Sequence, residues 1–125
     1  MKTNESAENY LETILMLKKE KGAVRSIDIV HQMEFTKPSV SRAMALLREK
    51  GQITMDKEGW IELTDDGREI AERIYERHLL MTEWLIALGV SPDVAAEDAC
   101  RIEHDISPET FECLKRHVSH GLPQD

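Results

Sequence analysis

The chain has 125 residues, 41% hydrophobic and 32% charged, with 16 Lys and Arg against 24 Asp and Glu for a net charge of −8. That length holds one domain, or a small domain with a helical appendage, and the composition excludes fibrous, low-complexity and wholly disordered classes. The start Met1–Glu5 lacks an apolar leader, no apolar run approaches the ~20 residues that span a bilayer, and Cys100 and Cys113 are too few for a disulfide framework, so a reduced cytoplasmic protein with no membrane contact is expected.

The first helix is expected over residues 6–21, with Ser6 as N-cap, an apolar stripe of Tyr10, Leu11, Ile14, Leu15 and Leu17, and Gly22 as its stop. Ser26 then caps a short helix whose Ile27, Val30 and Met33 face inward. Thr36 or Lys37 caps a third, with Pro38 in the first turn where its missing N–H costs nothing. Val40, Ala43, Leu46 and Leu47 of that helix face inward, Ser39, Ser41 and Arg42 outward, and it ends near Lys50 and Gly51. Two short helices joined in this way form a helix-turn-helix. Residues 52–56 and 60–64 alternate apolar and polar around Lys57-Glu58-Gly59, which reads as a β-hairpin and makes the whole a winged helix.

Thr64 caps a long helix from about Asp65 to Leu88, with Ile70, Ile74, Leu80 and Leu85 on its stripe and Gly89 after it. Ser91-Pro92 opens a helix that runs to His104, and Ser107-Pro108 opens a last one with Phe111, Leu114 and Val118, fraying after His117. The expected fold is mostly α with a small β-hairpin wing. A winged helix-turn-helix domain over 1–64 is followed by a linker helix and helical domain over 65–125.

Charge is unevenly spread. Residues 1–63 carry ten basic and ten acidic side chains, 64–89 three and six, and 90–125 three and eight, so the deficit of eight lies in the C-terminal half. Within Thr36–Lys50, Lys37, Arg42, Arg48 and Lys50 oppose only Glu49, a local patch of +3 suited to phosphates. Thr36, Lys37, Pro38, Ser39, Ser41 and Arg42 are the candidates for base edges and backbone of double-stranded DNA, and Lys57 in the wing turn for phosphate. The bland alternative for each cation is a solvated surface charge. Trp60 is expected to pack the wing, Trp84 the core or an interface, and His31 to lie on the surface.

Cys100, Glu103 and His104 stand at i, i+3 and i+4, so on a helix they span about 100° of arc, and Glu97 at i−3 shares that face. Sulfur, oxygen and imidazole nitrogen converging in this way suit a transition metal, and His78 on the long helix is the obvious further donor. Equally, Cys100 could be a buried small hydrophobe beside surface Glu103 and His104. As an enzyme the pair Cys100 and His104 lacks an oxyanion loop, a phosphate loop and an orienting third group, so no catalytic activity is expected.

Five spaced motifs extend the pattern: Ala7-Glu8-Asn9-Tyr10-Leu11-Glu12, Thr36-Lys37-Pro38-Ser39-Val40-Ser41, Leu63-Thr64-Asp65-Asp66-Gly67, Arg77-His78-Leu79-Leu80, and Asp98-Ala99-Cys100-Arg101-Ile102-Glu103-His104. From Ser6 to about Val118 the chain resembles the DtxR/MntR family of metal-dependent transcriptional repressors. The resemblance implies a homodimer that binds palindromic operator DNA, with the helical domain serving metal binding and dimerisation. It carries over His78, Glu103 and His104 as metal ligands. Cys100 falls where the iron-responsive branch has Cys and the manganese-responsive branch has Glu. Glu12 falls on a carboxylate ligand of the manganese branch. Asn9 stands where the iron branch has Met and the manganese branch Asp, a departure that leaves its amide oxygen a weak or water-mediated ligand. Ala96 replaces a histidine of the iron branch's second site, so a second site of that design is not expected, and, as in the manganese branch, no SH3-like C-terminal domain is expected.

Thiolate favours Fe(II), Zn(II) or Co(II) over Mn(II), and intrinsic affinity alone would put Zn(II) before Fe(II), so cellular availability decides: Fe(II) is expected first, with Mn(II) and then Zn(II) behind. A cation bridging Glu12 and Asn9 in the DNA-binding half to Cys100, Glu103 and His104 would fix the two halves and select the half-site spacing of a palindrome. The apolar set Leu85, Ile86, Leu88, Val90, Val94, Ile102, Phe111 and Leu114 exceeds what one thin layer needs, which favours a dimer through the last three helices. The rival readings are a winged-helix regulator indifferent to metal and a metal buffer that uses only the acidic half.

Overall fold

Six helices and one two-stranded antiparallel sheet follow in the order α1 (Lys2–Lys21), α2 (Ser26–Met33), α3 (Lys37–Glu49), β1 (Ile53–Met55), β2 (Ile61–Leu63), α4 (Asp65–Ala87), α5 (Pro92–Ile102) and α6 (Pro108–Gly121), in a computed structural model that describes residues 2–121. The chain divides into two compact units, Met1–Glu72 and Arg73–Asp125, with α4 beginning in the first and ending in the second. The elements are those expected of a winged helix followed by a helical domain.

In the first unit Tyr10, Leu11, Ile14 and Leu17 recur at helical spacing on α1 and are buried. They share this unit's core with Ile29 of α2, Val40, Met44 and Leu47 of α3, and Val24, Ile53, Ile61 and Leu63 around the sheet. Tyr10 meets Phe35 edge to face at 5.8 Å between ring centroids. Strand register pairs Ile53 with Leu63 and Met55 with Ile61. The free edge of β2 is covered, since the Ile61 N–H donates to the Val24 carbonyl at 2.8 Å.

Caps explain the boundaries. The Thr36 hydroxyl oxygen accepts the Ser39 N–H at 3.2 Å, with Pro38 in the first turn of α3. Thr64 accepts the Gly67 N–H at 3.2 Å and donates its hydroxyl to the Gly51 carbonyl at 2.7 Å, which fastens the start of α4 to the end of the helix-turn-helix. Gly67 is required there, because a Cβ would stand 2.0 Å from the Gln52 carbonyl oxygen. Glu34, in the turn between α2 and α3, is left-handed at φ 58°, a conformation that costs a non-glycine residue about 1 kcal/mol.

Several expected boundaries and faces move. α1 begins at Lys2, so Ser6 lies inside the helix; no Pro or Gly interrupts Lys2–Glu5. The cap of α2 is Arg25 and not Ser26, because the Asp28 carboxylate reaches back to accept the Arg25 N–H at 2.9 Å. Ile29 takes the core position and Ile27 is exposed. On α3 Met44 is buried while Leu46 points out at 54% exposure. In both helices the inward stripe is set by what packs beneath it, one or two residues from where apolar spacing alone put it. α6 continues through His117 to Gly121 as regular helix; the His120 side chain falls outside the described residues.

The second unit is built on Met81, Ala99 and Phe111, with Leu80, Trp84, Ile102, Ile106 and Leu114 packed against them. Pro92 opens α5 after Ser91, and the Ser107 hydroxyl oxygen accepts the Thr110 N–H at 3.1 Å at the start of α6. Of the apolar set assigned to a dimer face, Phe111 is core, whereas Ile86, Leu88 and Val94 remain exposed, as does Leu79. Among the described residues no helix is long and apolar enough to cross a membrane.

Candidate functional site

α5 ends at Ile102, two residues before the expected end at His104. Glu103 stays in helical conformation as its C-cap, its N–H donating to the Ala99 carbonyl at 3.0 Å. His104 and Asp105 then turn the chain, with the Asp105 N–H on the Ile102 carbonyl at 3.0 Å, and Pro108 starts the next helix. The pair Glu103-His104 therefore sits on a tight turn at the end of α5, and α4 brings His78 to it.

The Glu103 carboxylate is fully buried, and both its oxygens meet imidazoles. Oε1 lies 3.2 Å from His78 Nδ1, and Oε2 lies 3.3 Å from His104 Nε2. The His104 side chain is 1% exposed and that of His78 18%. Burying a carboxylate is expensive unless polar partners replace water; His78 hydrogen-bonds Oε1, and the His104 imidazole stands beside Oε2 at ion-pair distance. An arrangement of two imidazole nitrogens around one carboxylate is also a donor set that first-row divalent ions accept. The residues present fit such an ion.

The other candidates are placed as follows. Cys100 is exposed on α5, so it is not the buried small hydrophobe of the bland reading, and Glu103 is not a surface residue. Glu97 is exposed on the same helix. On α1, Glu12 is buried at 5% exposure and Asn9, one turn earlier, is half-buried.

Arg77 is a residue that sequence reasoning passed over except as part of a motif. It is buried, and its Nη1 donates to the Glu103 carbonyl at 3.0 Å and to the Ile106 carbonyl at 3.4 Å. The available signal was its place at i+3 from Ile74 and i−4 from Met81, a charged residue on a core stripe.

On the first unit Lys37, Pro38, Ser41 and Arg42 are exposed along α3 and Lys57 in the wing turn. Ser39 is half-buried and engaged with the cap, its Oγ accepting the Thr36 hydroxyl at 2.9 Å. An open groove is lined by Ser26, Ile27, Val30, Lys37 and Ser41. In the wing, Asp56 accepts the Trp60 N–H at 2.8 Å, Gly59 takes the positive φ of 91° that the turn needs, and the Arg25 guanidinium covers Trp60 at 4.8 Å. Trp60 thus packs the wing, as expected. Burial pushes the Tyr10 phenol up, opposed by the nearby Arg42 charge.

A winged helix-turn-helix joined to a helical unit that carries a buried imidazole–carboxylate cluster is the architecture of a DNA-binding regulator. Residues 2–60 match the iron dependent repressor N-terminal DNA binding domain, and residues 64–121 match the iron dependent repressor metal binding and dimerisation domain. The chain is 32% identical over 118 residues to the transcriptional regulator MntR of Escherichia coli O6:H1, covering 94% of this chain and 76% of that protein. It is also 32% identical over 105 residues to the HTH-type transcriptional regulator MntR of Bacillus subtilis (strain 168), covering 84% and 74%. A solved manganese-dependent transcriptional repressor in complex with manganese superposes with a TM-score of 0.82 at 25% identity, covering 94% of this chain and 54% of that one. The manganese regulator SloR gives 0.79 at 26% identity, covering 91% and 54%. The chain thus spans about half the length of these two solved chains. It belongs to the DtxR/MntR family of metal-dependent transcriptional repressors.

Proposed function

We propose that the protein is a manganese-responsive repressor that binds palindromic operator DNA as a homodimer in the cytoplasm, with His78, Glu103 and His104 at the heart of its metal centre. The observation that carries the reading is the pair of imidazoles, 3.2 and 3.3 Å from the two oxygens of one fully buried carboxylate. That cluster lies inside the stretch matched to a metal binding and dimerisation domain. A bound divalent cation would supply the positive charge that draws these donors into one coordination sphere. Glu103 contributes a carboxylate held on the end of α5, and His78 contributes a nitrogen from α4.

Cys100, Glu12 and Asn9 join the proposed set on the resemblance, supported for Glu12 by its burial on α1. On the first unit Thr36, Lys37, Pro38, Ser39, Ser41, Arg42 and Lys57 are the proposed DNA contacts, the exposed ones at the groove and the Thr36–Ser39 pair holding the start of the recognition helix. The domain boundary near residue 64 remains part of this reading.

Mn(II) stands before Fe(II) because the two similar solved structures are named a manganese regulator and a manganese-dependent repressor and because Cys100 is exposed, apart from the burial that Glu103 and His104 share. One observation favours Fe(II): a thiol stands at position 100, where the manganese branch has a carboxylate. Anaerobic operator binding, titrated with Mn(II), Fe(II) and Zn(II) beside a chelator control in wild type and Cys100→Ala, separates them. Mn(II)-activated binding that survives Cys100→Ala supports the manganese reading. Activation by Fe(II) that the variant loses would favour iron. Binding indifferent to every metal would leave a winged-helix regulator without a metal sensor.

A further inference from the structure

Arg77 is a buried cation with no carboxylate partner among the described residues. Its two hydrogen bonds both go to main-chain carbonyls, those of Glu103 at 3.0 Å and Ile106 at 3.4 Å. These carbonyls bracket the turn Glu103–Ile106, which carries His104. The guanidinium plane lies 5.0 Å from the centroid of the Phe111 ring on α6. One side chain of α4 thus ties together the end of α5, the turn after it and the next helix.

The chemistry suits this job. The last carbonyls of a helix have no partner inside it, and they carry the negative end of its dipole. Nη1 alone donates both bonds, to the Glu103 carbonyl at that end and to the Ile106 carbonyl in the turn beyond it, and its two N–H groups are held in the guanidinium plane, a fixed direction that a freely rotating ammonium lacks. Burying an unpaired charge is costly, so an apolar residue on this core stripe would be the cheaper way to pack Ile74 and Met81. The next residue, His78, meets the same glutamate at its carboxylate. Glu103 is therefore held twice from α4, by Arg77 at its main chain and by His78 at its side chain.

We infer that Arg77 is a positioning residue of the metal centre: by gripping the carbonyls of Glu103 and Ile106 it fixes the turn that presents the Glu103 carboxylate and the His104 imidazole. The inference rests on the metal-centre reading given above. Residues that orient metal ligands through a second layer typically change metal affinity about 10–100-fold when replaced.

The test uses the full chain in three forms: wild type, Arg77→Lys, which keeps charge but loses the planar fork, and Arg77→Met, which keeps bulk and loses both. Mn(II) affinity is read from the magnetic resonance signal of unbound Mn(II), the coordination sphere from the visible absorption of the Co(II)-loaded protein, and the fold from melting of the metal-free protein. The expected result is an affinity loss of about 10–100-fold in Arg77→Met, a smaller loss in Arg77→Lys, and a changed Co(II) spectrum in both. Should Arg77→Met fail to fold, Arg77→Lys decides by the same readings. Wild-type affinity and an unaltered Co(II) spectrum in the folded variants would overturn the positioning role alone. Weaker binding with an unaltered Co(II) spectrum, in step with a lower melting temperature, would also overturn it, as plain destabilisation. A wild-type protein that binds neither Mn(II) nor Co(II) would instead overturn the metal centre itself.

Discussion

Leu11, Ile14, Val24, Ile29, Val40, Met44 and Ile61 are all fully buried in Met1–Glu72, whereas the large fully buried side chains of Arg73–Asp125 are Ile74, Met81 and a glutamate, Glu103. The first unit has an apolar centre of the kind that holds a winged helix together unaided. In the second, a thinner apolar cluster shares the interior with an imidazole–carboxylate group and a buried arginine, whereas large exposed apolar side chains occur in both units, Ile27, Phe35, Leu46 and Trp60 in the first and Leu79, Ile86, Leu88 and Val94 in the second. A unit made this way has most to gain from a cation at its polar centre. On the proposed function, the contrast would correspond to one unit that reads DNA and another that responds to the cation.

Breaking the first unit should have the largest effect. Ile14→Ala removes a wholly buried side chain from α1 and is expected to destabilise the protein by about 2–5 kcal/mol, seen as a large fall in the thermal or urea midpoint that Mn(II) does not repair. A cost under about 1 kcal/mol would mean that this core is looser than its burial implies.

The second unit should respond to ligand instead. At a free Mn(II) concentration of 100 times Kd the wild type should gain about 2.7 kcal/mol of stability, and Glu103→Gln should lose that increment. Calorimetric melting with and without Mn(II) gives both numbers. Equal increments in the two proteins would place the ion elsewhere.

A finer comparison concerns the cap of α2. The Arg25 N–H donated to Asp28 holds that carboxyl below its ordinary range, opposed by burial and aided by Lys21 at 3.1 Å. A depressed folded pKa means that the contribution is present at neutral pH and is lost as pH falls through the acidic range below the ordinary Asp value. Asp28→Asn should therefore cost about 1 kcal/mol at pH 7, with wild type and variant converging in acid. A gap that persists unchanged at low pH would assign the effect to something other than the carboxylate.

How much of this was readable from the residues depends on whether the signal was local. Thr36 and Pro38 announce the start of α3, and the alternation either side of Lys57-Glu58-Gly59 announces the wing, because caps and turns are made by neighbours in sequence. The choice of Met44 over Leu46, or Ile29 over Ile27, was not readable, since both candidates are apolar and only the packed partner decides. The glutamate–histidine pair was visible as a motif, but its place on a turn after Ile102 and the burial of its carboxylate were not. Arg77 stayed hidden because the main-chain carbonyls it binds lie 26 and 29 residues away, and any residue type supplies a carbonyl.

The most direct test is the affinity of the protein for a candidate operator at fixed salt, with and without Mn(II), in wild type and Glu103→Gln. The account predicts tight binding only in the wild type with Mn(II), and weak binding in the variant whether or not the ion is present. Binding that is equally tight in all four cases would contradict it, leaving the buried cluster as a structural feature and the protein as a regulator that does not sense metal.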